Sequence, residues 1–434
     1  MKIRIKKQAG SEAGVLLITI GITFLLGLGL ASYLSLMRWQ HMSVVRSQAW
    51  NAAMAMAEAG VEEALAQLNP SALVFSTNIN RGANGWTLEA DGRYHAPRRS
   101  LPAGYYDVAI TADTFPVIYA TGYVPIPAIS AVVSRTVKVT TGSAALYRGP
   151  MVARGNVDLK GNGIATDSFD SLDPKYSTNG LYDAAKRKAG GDVASLGGFI
   201  NVQNADIMGT LYTGPGGSYS VGSQGSVGDL NWVQGGSHGI QDGHYKNDFN
   251  MDFPDVLPPF QTAVPPDGDE IDGVNYTWIL GYGNYLLNKG ITFKTGDKIL
   301  VVGRARVYVT GDFIMQGSAS IIMTPGASLE LYVGGANTSI GAVNNPGNCA
   351  TFSYFGLPGN TSISLAGNNS FLGSIYAPNA ALSMSGGGNN DIDFQGACAV
   401  KTMSINGHFK LHFDENLKRK GPVRGYQVTS WDEV

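Results

Sequence analysis

The sequence predicts a mainly β protein with one long N-terminal helix: a transmembrane helix, then a small antiparallel sheet, then a right-handed parallel β-helix. Three observations predict this fold class. Residues 15–70 combine an uncharged segment with a helical pattern, residues 71–145 alternate apolar and polar side chains, and residues 146–417 repeat short apolar runs between glycines. Only 15% of the residues are charged and 57 of 434 are glycine, a composition typical of short strands and tight turns.

A basic leader, residues 1–14, overlaps by two residues with an uncharged segment that runs from Ala13 to Met37. This segment is longer than the ~20 residues needed to cross a bilayer core, and soluble helices rarely stay apolar on every side for that length. Basic residues before the segment favour a cytoplasmic N-terminus and export of the rest of the chain, although Arg38 and Arg46 beyond it oppose this orientation slightly. A cleaved secretory signal is the alternative, but the segment is long for one.

The helical pattern continues past the uncharged segment and ends at Asn69 and Pro70. No proline interrupts residues 38–68, and apolar residues recur on one side at helical spacing. This apolar stripe contains Ala57, Val61, Ala64, Leu65 and Leu68. We therefore expect one continuous helix, about 80 Å long at 1.5 Å per residue.

The N-terminal region resembles that of PilX-type minor pilins, through the basic leader, a glycine, the uncharged segment and AEAGVEEAL at 57–65. In type IV pilins and pseudopilins, prepilin peptidase cuts after a glycine just before the apolar segment. The resemblance therefore implies cleavage between Gly14 and Val15, or alternatively between Gly10 and Ser11. It also implies insertion in the inner membrane and association with other pilin-like subunits through the helix.

One position departs from the pattern of major pilins, which carry glutamate at the fifth mature residue. Cleavage after Gly14 would place Thr19 there, and cleavage after Gly10 would place Val15 there. Minor pilins of this type often lack the glutamate, so the departure argues against a major subunit. It also leaves open an anchor that is never processed. Small residues on the helix would allow close helix approach: Gly21, Gly27, Gly29 and Ala31.

The middle region, residues 71–145, has the period-two pattern of strands at 105–111, 117–124 and 135–141. We expect a small antiparallel sheet that packs on the end of the long helix. Such a sheet would match a pilin-like head.

The region from 146 to 417 repeats short apolar runs at nearly constant spacing, with no helical pattern between them. Runs that start at Ile299, Val307, Phe313, Ile321 and Leu329 are the clearest examples. Strands this short, without hairpin turns or helical crossovers, favour a parallel β-helix over a sandwich or jelly roll, which stay the alternatives.

Two segments of this region, 371–386 and 406–417, resemble an uncharacterised β-helical domain found at the C-terminus of pilus-assembly-like proteins. The matching residues are Gly373, Tyr376, Ala377, Pro378, Asp414 and Leu417. The resemblance implies architecture and not chemistry, because the domain has no assigned activity. Residues 418–434 are interpreted as a tail.

An irregular insertion at about 228–289 is rich in proline and aromatic residues, and we expect it to lie across the coil. Trp232, Trp278 and Tyr282 are candidates for a sugar-stacking face, although covering exposed core is the more usual role of such residues.

Carboxylates are the groups to search for in a β-helix, since many polysaccharide-degrading enzymes have this fold and need two of them facing one groove. Asp391 and Asp393 have the spacing of one strand face, and Asp312 lies near Arg304 and Arg306. A row of converging carboxylates on adjacent rungs would favour such an enzyme, whereas a surface of Ser, Thr, Asn and Gly would oppose it.

Metal and disulfide signals are weak. Cys349 and Cys398 are candidates for a disulfide, with two separate buried thiols as the alternative. His408 and His412 share a strand pattern without a third metal ligand. An acidic loop offers a weak calcium site at Asp267, Asp269 and Asp272. We expect no cofactor.

Together these patterns predict a non-enzymatic, minor-pilin-like or pseudopilin-like envelope protein that serves pilus or secretion-filament assembly or adhesion. It would be anchored in the inner membrane with its bulk in the periplasm or in a surface filament. A membrane-tethered protein that binds or degrades glycans is the alternative. The net charge of −2 gives no basic surface for nucleic acid.

Overall fold

A computed structural model describes residues 11–69, 85–113, 115–127, 130–161, 163–367, 370–386, 392–420 and 423–434. The chain divides into two compact units. The first unit comprises Met1–Gln67, Asn80–Gly142 and Val428–Val434, and the second comprises Leu68–Ile79 and Ser143–Gln427.

Helices are few in the described residues, and strands are many. The helices are α1 (Ser11–Leu68), α2 (Leu230–Gln234) and α3 (Leu417–Lys420), with a 3₁₀ turn at Ala184–Lys186. The first strands are β1 (Thr87–Leu88), β2 (Arg93–His95), β3 (Arg99–Leu101), β4 (Gly104–Thr111), β5 (Val117–Ile126) and β6 (Ala131–Ala145). The next strands are β7 (Met151–Ala153), β8 (Val157–Leu159), β9 (Ala165–Phe169), β10 (Val193–Ser195), β11 (Phe199–Gln203), β12 (Asp206–Met208), β13 (Leu211–Thr213), β14 (Ser218–Val221), β15 (Ser226–Gly228), β16 (Gly239–Ile240), β17 (Tyr245–Lys246), β18 (Asp269–Ile271) and β19 (Val274–Tyr276). The remaining strands are β20 (Trp278–Leu280), β21 (Gly283–Leu287), β22 (Ile291–Phe293), β23 (Lys298–Val301), β24 (Arg304–Val309), β25 (Phe313–Met315), β26 (Ser320–Met323), β27 (Ser328–Val333), β28 (Asn337–Ile340), β29 (Ala342–Asn344), β30 (Phe352–Gly356), β31 (Ser362–Gly367), β32 (Phe371–Gly386), β33 (Ile392–Gly407), β34 (Phe409–Asp414) and β35 (Val423–Glu433).

The first unit is helix α1 with a small sheet in the order β1-β2-β4-β5-β6-β35, in which β3 also pairs with β4. The pairs from β1 to β6 are antiparallel, as the period-two pattern predicts. Burial alternates strictly along β5, so one face of this strand is buried and the other is partly exposed.

The C-terminal strand β35 completes this sheet beside β6. Thr140 and Ser430 share a hydrogen bond of 2.6 Å, and Arg135 pairs with Glu433, so the two strands run antiparallel. Residues 423–433 are therefore a strand, where the sequence suggested a tail. In chain order the solenoid segment follows β6 and precedes β35, although these two strands are neighbours in one sheet.

The second unit is a parallel β-solenoid, which confirms the predicted fold class. Residues that point inward align from strand to strand through the sheet. One such column of register partners contains Tyr285, Val307, Leu331, Tyr354, Ile375, Cys398, Met151, Val193, Leu211 and Tyr245. The inner side chains form one continuous apolar core, because each coil covers the apolar face of the next.

The coils do not stack in the order of the chain. Strands β33 and β34 near the end of the solenoid segment pair with β7, β8 and β9 from its beginning. We call this junction the seam. Two half-solenoids, residues 146–246 and 278–416, therefore meet in the middle of the stack.

Residues 247–277, the return segment, connect the outer ends of the two halves. Tyr376 donates a hydrogen bond of 2.8 Å to the Pro254 carbonyl, and Asn379 donates one of 2.7 Å to Asp255. Farther along, Val264 forms a parallel bridge with Tyr285. The return segment, the central part of the insertion expected at about 228–289, thus lies across the coils and helps to cover an outer row of large side chains that includes Tyr332, Phe355 and Tyr376. The flanking residues 228–246 and 278–289 contain strands of the coils instead.

Candidate functional site

The first half of α1 is an exposed apolar surface. The large apolar residues between Val15 and Met37 are about half or more exposed, and this segment contains no charged residue. Within the described residues, α1 is long and apolar enough over Gly14–Leu68 to cross a membrane. An apolar helix surface of this size needs a partner, which is either lipid or other apolar helices.

The second half of α1 packs on the sheet of the first unit. Ala57, Val61, Ala64 and Leu68 are at most 2% exposed, which confirms the predicted stripe at these positions, and Ala53 one turn earlier is also buried. Small residues bring the two elements close together. A Cβ at Gly122 of β5 would lie 2.1 Å from the Ala53 carbonyl oxygen, a distance that atoms cannot adopt.

Glu63 fixes the helix to the sheet on its polar side. The Arg99 guanidinium donates to Glu63 at 2.8 Å, and the Tyr106 hydroxyl donates to it at 2.8 Å. Burial and this hydrogen bond raise the pKa of Tyr106 to about 12. One half of α1 is therefore held by a sheet while the other half remains uncovered.

The predicted processing residues lie at the start of the helix. Gly14 and Val15 are inside α1, which begins at Ser11, and Gly10 lies outside the described residues. Cleavage stays a prediction. A Cβ at Gly21, Gly27 or Gly29 would meet nothing within 4 Å, so this side of the helix is open.

In the solenoid, a buried group of charged side chains lies at the seam. His412 of β34 lies between Asp167 of β9 and Asp393 of β33, with Nδ1 2.6 Å from Asp167 Oδ1 and Nε2 3.4 Å from Asp393 Oδ1. Ionised carboxylates only accept hydrogen bonds, so both ring nitrogens must carry protons to satisfy both partners. The arrangement therefore favours an imidazolium.

Tyr182 covers this histidine. Its ring stacks on the imidazole with centroids 3.5 Å apart, and its hydroxyl donates to Asp167 Oδ2 at 2.6 Å. Arg187 also approaches Asp167 Oδ2, at 3.8 Å. Burial alone would lower the pKa of His412, but the two carboxylates outweigh it and raise this pKa above its usual value.

The cluster is a buried ion network and not an open pair of acids. His412 and Asp167 are 6% and 2% exposed, and Asp393 forms the accessible edge. The sequence singled out Asp393 and His412 but missed Asp167. The sequence around Asp167 contains no motif, and only the pairing of β9 with β34 brings Asp167 next to His412. Asp391, the predicted partner of Asp393, lies outside the described residues.

The structure does not bring the other predicted group, Asp312 with Arg304 and Arg306, into one site. Asp312 accepts hydrogen bonds from the backbone and side chain of Asn337, which lower its pKa. Arg306 pairs instead with Glu330 at 3.0 Å. Each of these groups has its own local partner, and Arg304 is exposed at the edge of its strand.

A row of hydroxyls occupies one outer side of the coils. Ser339, Ser364, Ser383 and Ser404 are register partners on β28, β31, β32 and β33. Ser339 and Ser364 donate to backbone carbonyl oxygens of Met315 and Thr338. A Ser-rich surface of this kind counts against a polysaccharide-degrading enzyme. The next register partner beyond Ser404 is Asp158 of β8, whose carboxylate pairs with Lys160 at 2.8 Å.

The three aromatic candidates do not share a face. Trp278 is buried and meets Phe293 edge to face at 4.8 Å, so it belongs to the core. Tyr282 is 79% exposed, and Trp232 lies in the short helix α2. The three residues therefore do not form one sugar-stacking face, because Trp278 lies in the core, Tyr282 is exposed and Trp232 lies on a separate short helix.

Both cysteines are buried free thiols. Cys398 points into the solenoid core and donates to the Pro150 carbonyl oxygen at 3.1 Å, whereas Cys349 lies in the outer cluster beneath the return segment. Burial raises the pKa of both thiols, which leaves them poorly reactive.

The acidic loop is a β-hairpin. Strands β18 and β19 pair antiparallel, and Asp272 and Gly273 form the turn with φ of 52° and 74°. Asp267 and Asp269 bond to the backbone amides that follow them. Among the described residues, no group of three or more His, Cys, Asp or Glu side chains could hold a metal ion.

Comparison with known proteins gives two findings. Residues 262–420, less than half of the chain, match a family described as a domain of unknown function, DUF7305. Among solved structures, the competence-associated pilin ComZ from Thermus thermophilus is 12% identical over 88% of this chain and 96% of that chain, with a TM-score of 0.31. No curated protein matches the sequence. A TM-score this low does not establish a common fold.

Proposed function

We propose that this chain is a pilin-like envelope protein, anchored by the first half of α1 and displaying a β-solenoid, whose work is structural rather than catalytic. The anchor would lie in the inner membrane, with the small sheet and the solenoid in the periplasm or in a filament. Lateral association with other pilin-like subunits would use the apolar half of α1.

The two-part character of α1 carries this proposal. An exposed apolar half and a half buried against an antiparallel sheet occur in one uninterrupted helix. A merely membrane-tethered domain needs only the first half. A helix that continues through the anchor into the core of a small sheet transmits the position of the anchor to that unit rigidly. That is useful for a subunit packed among parallel helices.

The solenoid supports display rather than catalysis. The charged group around His412 is buried, and the row of Ser339, Ser364, Ser383 and Ser404 lacks the paired acids that glycan hydrolysis needs. The alternative of a glycan-degrading enzyme is therefore less well supported by these residues.

The test is the N-terminal sequence of the protein purified from membranes, combined with carbonate extraction. A start at Val15 or Ser11 in a carbonate-resistant protein supports the pilin pathway. If the start is Val15, Gly14→Leu should accumulate as the uncut precursor and Gly10→Leu should mature normally. If the start is Ser11, the two variants should exchange these outcomes. A start at Met1 would reduce the proposal to an anchored solenoid, and loss from the membrane in carbonate would remove the anchor as well.

A further inference from the structure

Exposed basic and aromatic residues begin immediately after the uncharged segment of α1. Arg38 and Trp39 follow Met37, and Arg46 lies two turns farther along; all three are exposed, Trp39 by 74%. We call Arg38, Trp39 and Arg46 the basic collar. Its position is where the polar layer of a bilayer begins if residues 13–37 fill the hydrocarbon core.

No acidic residue lies close to the basic collar in the sequence of α1. The sequence from residue 13 to residue 57 contains neither Asp nor Glu. In and beside the sheet of the same unit, four arginines have acidic partners: Arg93 with Asp91, Arg98 with Asp107, Arg99 with Glu63 and Arg135 with Glu433. Among the ion pairs of the described residues, none involves Arg38 or Arg46, so their charges are available to a ligand.

The collar faces largely one side of the helix. At about 100° per residue, Arg38, Arg46 and Trp39 fall within roughly a third of the circumference, and the two arginines are about 12 Å apart along the axis. Long arginine side chains reach back towards a membrane surface, and tryptophan prefers the interface between headgroups and hydrocarbon. Arg46 is also within about one screening length of charges at the membrane surface at moderate salt.

We propose that the basic collar binds the headgroups of anionic phospholipids in the leaflet where α1 leaves the membrane. This rests on the proposed membrane anchor and adds the class of lipid that surrounds it. The phosphate and its negative headgroup pair with Arg38 and Arg46, while the Trp39 indole lies at the depth of the glycerol region. The contact fixes how far the helix emerges, and hence how far the sheet is held from the surface.

The test uses the full chain reconstituted in vesicles of phosphatidylcholine with phosphatidylglycerol. Energy transfer is measured from tryptophan to dansyl-labelled phosphatidylglycerol and, in parallel, to dansyl-labelled phosphatidylcholine. The native protein should prefer the anionic probe, by about five-fold for each arginine at low salt, and the preference should fall as salt is raised. Arg38→Gln with Arg46→Gln should bring the ratio of the two signals close to one.

The matched control removes the same charge elsewhere. Lys289→Gln with Lys401→Gln changes two exposed lysines of the solenoid and should leave the preference for the anionic probe intact. If the ratio of the anionic to the zwitterionic signal is the same in the native protein and in the arginine double variant, the basic collar does not bind anionic headgroups. If the protein resists carbonate extraction in that case, the proposed membrane anchor is still supported and only the lipid binding by the collar fails. If carbonate releases the native protein from these vesicles, the anchor and the collar fail together.

Discussion

His412 of β34 and Asp167 of β9 are joined by a hydrogen bond of 2.6 Å although 245 residues separate them in the sequence. This contact crosses the seam, the junction between two coils that no short turn connects. Lys188 with Glu415 and Arg419 with Asp170 cross the same junction. Non-covalent contacts alone, namely hydrogen bonds, ion pairs and the packing of the apolar core, therefore join the coils here, in contrast to the covalent turns within each half-solenoid.

Replacing His412 by glutamine should destabilise the solenoid. The change leaves the buried Asp167 carboxylate without its imidazolium, and breaking one partner of a buried pair typically costs about 3–5 kcal/mol. Thermal and urea unfolding would measure the loss. His408→Gln, four residues earlier and outside this cluster, is the control and should change the free energy of unfolding by less than about 0.5 kcal/mol. Equal effects of the two substitutions would argue against a special role for the seam.

The stability that His412 provides should depend on pH. Its pKa is raised in the folded protein above the ordinary 6.5, so its contribution is fully present below that value and is lost as pH rises through the raised pKa. The difference in free energy of unfolding between the native protein and His412→Gln should therefore be largest in mildly acidic buffer and shrink in alkaline buffer. A difference that stays constant across this range would show that His412 is not charged in the fold.

Replacing Gly122 by alanine should weaken the packing of α1 on the sheet. The new Cβ would lie 2.1 Å from the Ala53 carbonyl oxygen and 2.6 Å from the Ala57 amide nitrogen, so strand and helix must separate. Overpacking of this kind costs about 1–3 kcal/mol. Gly197→Ala is the matched control, because a Cβ there meets nothing within 4 Å. Hydrogen exchange of the helix amides near residue 57 reports the effect, and unchanged exchange in Gly122→Ala would contradict the close approach.

Ending the chain before Val428 should open the edge of the first sheet. The truncated protein loses the partners of Arg135 and Thr140 on β6, and a bare edge strand tends to pair with other chains. Amides of β6 should exchange faster, and size-exclusion chromatography should show larger species. Glu433→Gln removes one exposed ion pair but keeps the strand, and should leave both readouts nearly unchanged. If the truncated chain behaves like the native one, residues 428–434 are a tail after all.

Much of this architecture could be predicted from the sequence. The uncharged segment and the stripe of Ala57, Val61 and Ala64 indicated a continuous helix, and the structure has it from Ser11 to Leu68. Alternation in 105–111, 117–124 and 135–141 indicated β4, β5 and β6, which are longer in the structure by a few residues at their ends. Apolar runs at constant spacing indicated a solenoid rather than a sandwich. In each case the signal was local, because the period of apolar residues reports which face of an element is buried.

Partners far apart in the sequence were decided only by the tertiary structure. Nothing in the segment around Asp167 indicated that it would meet His412, and nothing in residues 423–433 indicated that they would complete the sheet beside β6. Every rung of a parallel solenoid offers its neighbours the same backbone hydrogen bonds, so the local pattern does not specify which rung stacks on which. The path of the return segment and the contacts that close the seam fix that order. The sequence by itself thus determined the elements and their buried faces, and the tertiary structure decided their neighbours.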